Sequence, residues 1–218
     1  KAFRFFDSDE ERKAFFEMLF QGKAVKSSMD NYADLENEIR GNMLKSGGAA
    51  YVPEDPNAFL VLDEIVSVIL QLGGIPTYPV LLDDAKGNFT EYEADYEKLH
   101  KELSKRNIAS IELIPVRNDF NKLKEFVRFF NGRGYVITFG TEHNTPELAP
   151  LTVNCRHEKA LDEELMQISF EGACILAAHQ YLKSRNEEGY VDAQGKAQSD
   201  KYQEFVELGS AVIARFVQ

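Results

Sequence analysis

The feature that most constrains the fold is an alternation of short apolar segments with longer amphipathic segments between residues 57 and 139. The apolar segments are residues 75–82, 108–116 and 135–139, and the amphipathic ones are residues 59–72, 92–106 and 119–131. Short strands separated by helices of this length are typical of parallel βαβ units. Each strand is almost continuously apolar, as expected when both faces of a sheet are covered. The sequence therefore predicts an α/β fold with a parallel sheet.

Polar side chains lie where each predicted strand ends. Tyr78 is near the end of the first strand, Glu112 and Arg117 belong to the second, and Glu142 and His143 directly follow the third. Right-handed crossovers align the carboxyl ends of parallel strands at one edge, where α/β proteins bind ligands. We expect these side chains to lie at that edge.

Glu142 and His143 are the first candidates for chemistry. A carboxylate next to an imidazole can bind a divalent metal or transfer protons. Neighbouring side chains of a strand point to opposite faces, so the two converge only if the chain turns after Thr141. The alternative is a polar loop that caps a buried strand.

Glu112 interrupts the apolar sequence Ile-Glu-Leu-Ile. A carboxylate in a strand that is covered on both faces is costly unless it is paired or bound to a metal. Glu112 is therefore a second candidate metal ligand. The alternative is a salt bridge to Arg117 or Lys122.

Tyr78, Arg117 and Arg156 are candidate substrate-binding residues. The guanidinium groups of Arg117 and Arg156 can form paired hydrogen bonds with a phosphate. The structural alternatives are a core tyrosine with a satisfied hydroxyl at Tyr78 and a plain helix start around Arg156 and His157.

The segments on both sides of this α/β region are predicted to be mainly helical. We expect a helical segment over residues 1–48, a β/α region over 49–157 and C-terminal helices over 158–218 that pack on the same domain. A strand-like fragment at residues 151–153 precedes a long helix over 158–183. Residues 183–200 are polar and are predicted to form a mobile loop, and a final helix covers 202–217.

Composition excludes several classes of protein. The chain has 25 Lys and Arg against 36 Asp and Glu, a net charge of −11, which argues against nucleic-acid binding. Its two cysteines form neither a disulfide framework nor a metal-ligand spacing, which indicates a cytoplasmic protein with reduced thiols. No apolar stretch approaches the roughly 20 residues of a membrane span. No P-loop, Gly-x-Gly-x-x-Gly or Gly-x-Ser-x-Gly motif occurs.

Four segments together resemble the PHP (polymerase and histidinol phosphatase) family of metal-dependent phosphoesterases. Residues 49–53 resemble the segment before a family helix, and residues 63–76 resemble that helix with its Gly-Gly-hydrophobic entry into a strand. Residues 108–113 resemble the Gly-Ile-Glu-Val strand of the family, and residues 135–143 resemble the strand that ends Gly-Ser-Asp-x-His.

The resemblance implies a distorted, TIM-like β/α barrel with metals at the carboxyl ends of its strands. It implies a hydrolase that cleaves a small phosphorylated substrate with the help of a divalent metal: zinc, manganese or magnesium. Glu112, Glu142 and His143 would be the metal ligands, and Glu142 and His143 the catalytic pair. No nucleic acid or membrane is expected as a partner, and a homo-oligomer is left open.

The sequence also departs from the family. Tyr78 stands where the family has the histidine of Ala-His-Pro, Glu142 and His143 lack the intervening residue of Asp-x-His, and the opening His-x-His strand is absent. Either the missing ligands lie upstream, so that the barrel is incomplete at its N-terminus, or the chain is a degenerate member that acts as a binding or interaction module. A sugar-binding barrel such as an isomerase is a third alternative, based on fold analogy alone.

Overall fold

A computed structural model describes residues 2–83, 87–141 and 151–217. These residues form two compact units, residues 2–60 and the described residues from Val61 onward. The domain boundaries predicted at residues 48–49 and 157–158 stay a prediction.

The first unit is helical throughout its regular elements. Helices α1 (Ala2–Phe5), α2 (Asp9–Leu19) and α3 (Tyr32–Ile39) are followed by a π-helical turn at Arg40–Leu44. Ser8 and Glu11 form a capping box at the start of α2. The unit has a small core of its own, built from Phe16, Phe20, Met29 and Leu35.

The second unit contains a parallel sheet of three strands in the order β1 (Thr77–Val80), β2 (Ser110–Leu113) and β3 (Val136–Phe139). Helix α4 (Leu62–Gln71) precedes β1, α5 (Tyr96–Ser104) connects β1 to β2, and α6 (Phe120–Asn131) connects β2 to β3. The predicted parallel α/β arrangement is therefore confirmed. Over the described residues the sheet does not close into a barrel.

One face of the sheet packs on α5 and α6. Strand residues Ile111, Leu113 and Ile137 meet apolar side chains of the two helices: Leu99, Leu103, Leu123, Phe126 and Phe130, all fully buried. The other face of β3 is covered by α7 (Glu163–Ser184). Gly172 of α7 lies so close to the backbone of Ile137 that an added Cβ would overlap with it.

Helix α8 (Tyr202–Val217) packs on the outer side of α7. Gly209 of α8 lies against the backbone of Cys174 in the same close manner as Gly172 against β3. Two glycines thus allow the sheet, α7 and α8 to stack at short distances. None of the described helices is both long and apolar enough to cross a membrane.

Three sequence predictions about the C-terminal half are wrong. Residues 151–153 form no strand, and a short hairpin follows instead, made of β4 (Asn154–Cys155) and β5 (Lys159–Ala160). Helix α7 begins at Glu163 because Asp162 accepts a hydrogen bond from Leu165 N and caps it. Residues 185–198 form an ordered turn rather than a mobile loop, since Tyr190 and Val191 are buried in the core.

Candidate functional site at the carboxyl edge of the sheet

The three strands end at one edge of the sheet, as the parallel topology requires. Leu81, Leu82 and Asp83 follow β1, a 3₁₀ turn at Pro115–Arg117 leads from β2 to Asn118 and Asp119, and Gly140 follows β3. The side chains near this edge divide into an exposed carboxylate on one face and two buried polar clusters.

Glu112 provides the exposed carboxylate. It pairs with Pro79 and Thr138 in the sheet register, and its side chain is exposed although both neighbours in its strand are buried. It forms no hydrogen bond or ion pair with any described residue, so the predicted alternative of a salt bridge to Arg117 or Lys122 is not found. Lys122 donates instead to the carbonyl oxygen of Gly87, at 3.0 Å, and lies over the ring of Phe89.

The carboxylate of Glu112 leaves no room for a side chain at Gly140. The Oε1 atom of Glu112 lies so close to the Gly140 Cα atom that an added Cβ would overlap with it. Glu112 therefore reaches across from β2 to the end of β3, two residues before Glu142. Any larger residue at position 140 would displace the carboxylate.

Tyr78 lies on the opposite face from Glu112. It pairs with Ile111 in the register, and successive strand residues point to opposite sides of a sheet. Its hydroxyl donates to Glu93 Oε1 at 3.4 Å. Burial, and next the charge of Glu93, raise the pKa of Tyr78, so that its hydroxyl stays protonated at neutral pH. The structure does not bring Tyr78 and Glu112 together on one face.

Glu93 closes the end of β1. Its buried carboxylate accepts hydrogen bonds from Leu81 N at 3.1 Å, Leu82 N at 2.7 Å and the hydroxyl of Thr90 at 2.7 Å. Leu82 has a φ of +62°, a conformation that is costly for a branched side chain. These bonds from two successive amides stabilise the bend at which the chain leaves the sheet.

Asp83, Asn118 and Arg156 form the second buried cluster. The Asp83 side chain is fully buried, and its carboxylate pairs with Arg156 Nη2 at 3.0 Å. Asn118 Nδ2 donates to Leu81 O at 2.8 Å and to Asp83 Oδ1 at 3.1 Å. The cluster thus connects the ends of β1 and β2 to the β4–β5 hairpin that carries Arg156.

The guanidinium of Arg156 is therefore directed at protein groups. Besides Asp83 it contacts the carbonyl oxygen of Arg117, and only 17% of its side-chain surface is exposed. The 3₁₀ turn that follows β2 ends at Arg117, beside the exposed Val116. Phosphate binding by Arg117 and Arg156 stays a prediction, and for Arg156 it would require release of Asp83.

Amide chemistry fixes the orientation of Asn118. Its Nδ2 atom faces only acceptors, so the amide oxygen must be on the other side, where it is buried without a partner in the described part of the chain. Sequence reasoning did not identify Asp83, Glu93 or Asn118. The one signal was their position, since each directly follows or faces the end of a strand.

Glu142 and His143 lie outside the described residues. Within the described part of the chain, no group of three or more His, Cys, Asp or Glu side chains could hold a metal. Of the three carboxylates Asp83, Glu93 and Glu112, only that of Glu112 has no described partner, because Asp83 and Glu93 are already used inside the protein.

Cys155 is next to this edge but has no nucleophilic character. It is buried, and burial raises its pKa to about 11, with the charges of Asp119, Asp162 and Asp83 adding to the effect. A thiol of this kind is protonated at neutral pH. Nucleophilic catalysis by cysteine is therefore not supported at this site.

Comparisons with protein-family models, with curated proteins and with solved structures each find no match to this chain.

Proposed function

We propose that this chain is a divergent metal-dependent phosphoesterase of PHP type. In this proposal Glu112, Glu142 and His143 hold a divalent metal at the carboxyl edge of a β/α barrel, of which β1, β2 and β3 form one section. The barrel would need further strands along the free edges of β1 and β3.

The proposal rests on the unpaired carboxylate of Glu112. This acidic side chain lies within an apolar strand, is exposed and has no cation or donor among the described residues, so its oxygens are available to a ligand. It reaches the Gly140 Cα atom, two residues along the chain before Glu142, the next proposed ligand. This is the edge at which α/β enzymes carry their catalytic residues.

Each group has a chemical task in this proposal. A bound divalent metal would supply water activation and neutralise charge on the phosphoryl group. Glu112 would contribute a ligand oxygen, with Glu142 and His143 completing the set. Arg117 would bind the phosphate of the substrate, and Tyr78, whose protonated hydroxyl donates to Glu93, would have to release Glu93 to donate to the substrate.

The test is metal content and phosphatase activity of a matched pair of variants. Glu112→Gln keeps the size of the side chain and removes its charge, and Glu204→Gln makes the same change at an exposed position on α8. We expect Glu112→Gln to lower metal affinity and phosphate monoester hydrolysis by about 100-fold or more, and Glu204→Gln to change neither. Protein without stoichiometric metal, or equal activity of the two variants, would contradict the proposal.

The second candidate is a binding module that keeps the architecture without the chemistry. Two observations favour it: Tyr78 replaces a family ligand and is bonded to Glu93, and Arg156 is bonded to Asp83. In that case the protein would bind a phosphorylated ligand without hydrolysing it, with or without metal. Isothermal titration with a phosphate monoester, combined with product analysis, separates binding from hydrolysis.

A further inference from the structure

A pocket opens at the opposite, amino edge of the same sheet. It has a volume of about 280 Å³ and lies among the last turn of α5, the turn before β3 and the ordered turn before α8. These segments belong to one compact unit. The pocket is separated from the carboxyl edge by the length of the strands.

The charge of this pocket contrasts with that of the whole chain. The protein has a net charge of −11, yet none of the described residues that line the pocket is acidic. The lining includes Lys196, Arg133 and His100. A locally basic cavity in an acidic protein is an environment that favours an anion.

Lys196 provides the free charge. Its ammonium group forms no ion pair or hydrogen bond with any described residue. Arg133, by contrast, is already occupied: it pairs with Glu97 at 2.6 Å and donates to the carbonyl oxygen of Phe129 at 3.1 Å. It therefore adds to the local potential, whereas Lys196 is able to contact a ligand directly.

Three hydrogen bonds fix the backbone of the turn that carries Lys196. The Asp192 carboxylate accepts hydrogen bonds from the backbone amides of Gln194 and Lys196, both at 2.9 Å, and Asn107 donates to Gln194 O at 3.0 Å. Gly195 has a φ of +81° and is buried against Asn107. A ligand would therefore meet a backbone that is already in place, which lowers the entropic cost of binding.

Three hydrogen-bonding groups form a closed triangle beside Lys196. The hydroxyl of Tyr135 lies 3.0 Å from His100 Nδ1, and the hydroxyl of Ser104 lies 3.2 Å from each of them. When the neutral ring carries its proton on Nε2, Nδ1 accepts a hydrogen bond from one of these hydroxyls. Nε2 has no partner among the described residues, so in this tautomer it is a donor available to a ligand.

We propose that this pocket binds the phosphate group of a small molecule. Lys196 supplies the positive charge and His100 Nε2–H supplies a hydrogen bond from α5, while Ser199 lines the pocket on the side of the turn before α8. A phosphate presents several charged oxygens, so it can accept from donors that belong to separate segments. The site is separate from the proposed catalytic edge and does not depend on it.

The experiment is a titration of ¹⁵N-labelled full-length protein with inorganic phosphate, with chloride at equal ionic strength as the reference. We expect saturable shifts of the Gly134 and Gly195 amides, which line the pocket, and no shift of Gly140 at the other edge. Lys196→Ala should weaken this binding at least about tenfold, or about 1.4 kcal/mol. Lys13→Ala, at an exposed position in the first unit, removes the same charge and should leave the affinity unchanged.

Each other outcome overturns the proposal. It fails if Gly134 and Gly195 do not respond to phosphate, or if Lys196→Ala and Lys13→Ala bind equally well. Shifts of Gly140 without shifts of Gly134 and Gly195 would place the phosphate at the carboxyl edge, which supports the proposed function and contradicts a second site. Lys196 is exposed and supports no other side chain, so its replacement leaves the fold intact.

Discussion

Two acidic residues near the carboxyl edge of the sheet differ in burial and in hydrogen bonding. Asp83 is fully buried and bonded to Arg156 and Asn118, whereas Glu112 is exposed and has no partner among the described residues. A buried carboxylate must be compensated, because removing a charge from water costs several kcal/mol. An exposed carboxylate has no such requirement. Asp83 therefore has a structural task, and Glu112 is available for a ligand.

Removal of the positive charge that pairs with Asp83 should cause the largest loss of stability. Arg156→Met keeps much of the apolar stem and leaves a buried carboxylate without its counter-ion, so we expect a loss of about 3–5 kcal/mol in the free energy of unfolding. Urea denaturation at pH 7 measures it. Arg128→Met is the matched control, because Arg128 pairs with Glu164 on the surface, where an ion pair contributes little.

The double variant Asp83→Asn/Arg156→Met separates lost charge compensation from lost packing. It removes both charges, so it should recover part of the stability that Arg156→Met loses. If Arg156→Met and Arg128→Met were equally stable, the buried carboxylate of Asp83 would not need Arg156, and its structural role would be contradicted.

Asn118→Ala should cause the next largest loss of stability. The substitution deprives Leu81 O and Asp83 Oδ1 of a donor in a buried environment, and we expect a loss of about 1–3 kcal/mol. Asn121→Ala, three residues further along at an exposed position of α6, should change stability by less than about 0.5 kcal/mol. Thermal unfolding followed by circular dichroism compares the two. Equal melting temperatures would mean that the amide of Asn118 contributes nothing to the cluster.

The difference between the two acids also shows how far the sequence could predict this edge. Periodicity predicted the three strands and the helices between them, because an apolar strand and an amphipathic helix are local patterns. Glu112 was identified for the same reason, since a charged residue within an apolar strand is visible in the sequence. Asp83 was missed because its partners are 35 and 73 residues away along the chain, at Asn118 and Arg156.

Arg156 was assigned to substrate for a related reason. The sequence does not show whether an arginine binds a ligand or pairs with a buried carboxylate of the protein. The β4–β5 hairpin, which places Arg156 next to Asp83, was not predicted. The ordered turn before α8 was missed because Tyr190 and Val191, which hold it, are a short apolar pair within a mostly polar segment. Contacts between distant segments, rather than local propensity, decide all of these positions.

Gly140→Ala gives the smallest expected change in stability and the sharpest test of Glu112. The new Cβ would occupy the position of Glu112 Oε1, the end of a flexible side chain in contact with solvent, which can rotate away at little cost. We therefore expect a loss of less than about 1 kcal/mol, together with a displaced carboxylate. In a Glu112→Ala background the obstacle is absent, so the same glycine substitution should cost nothing further. A double-mutant cycle in urea measures this coupling. Equal costs in both backgrounds would show that the carboxylate does not lie over Gly140, and the geometric link between Glu112 and the end of β3 would be lost.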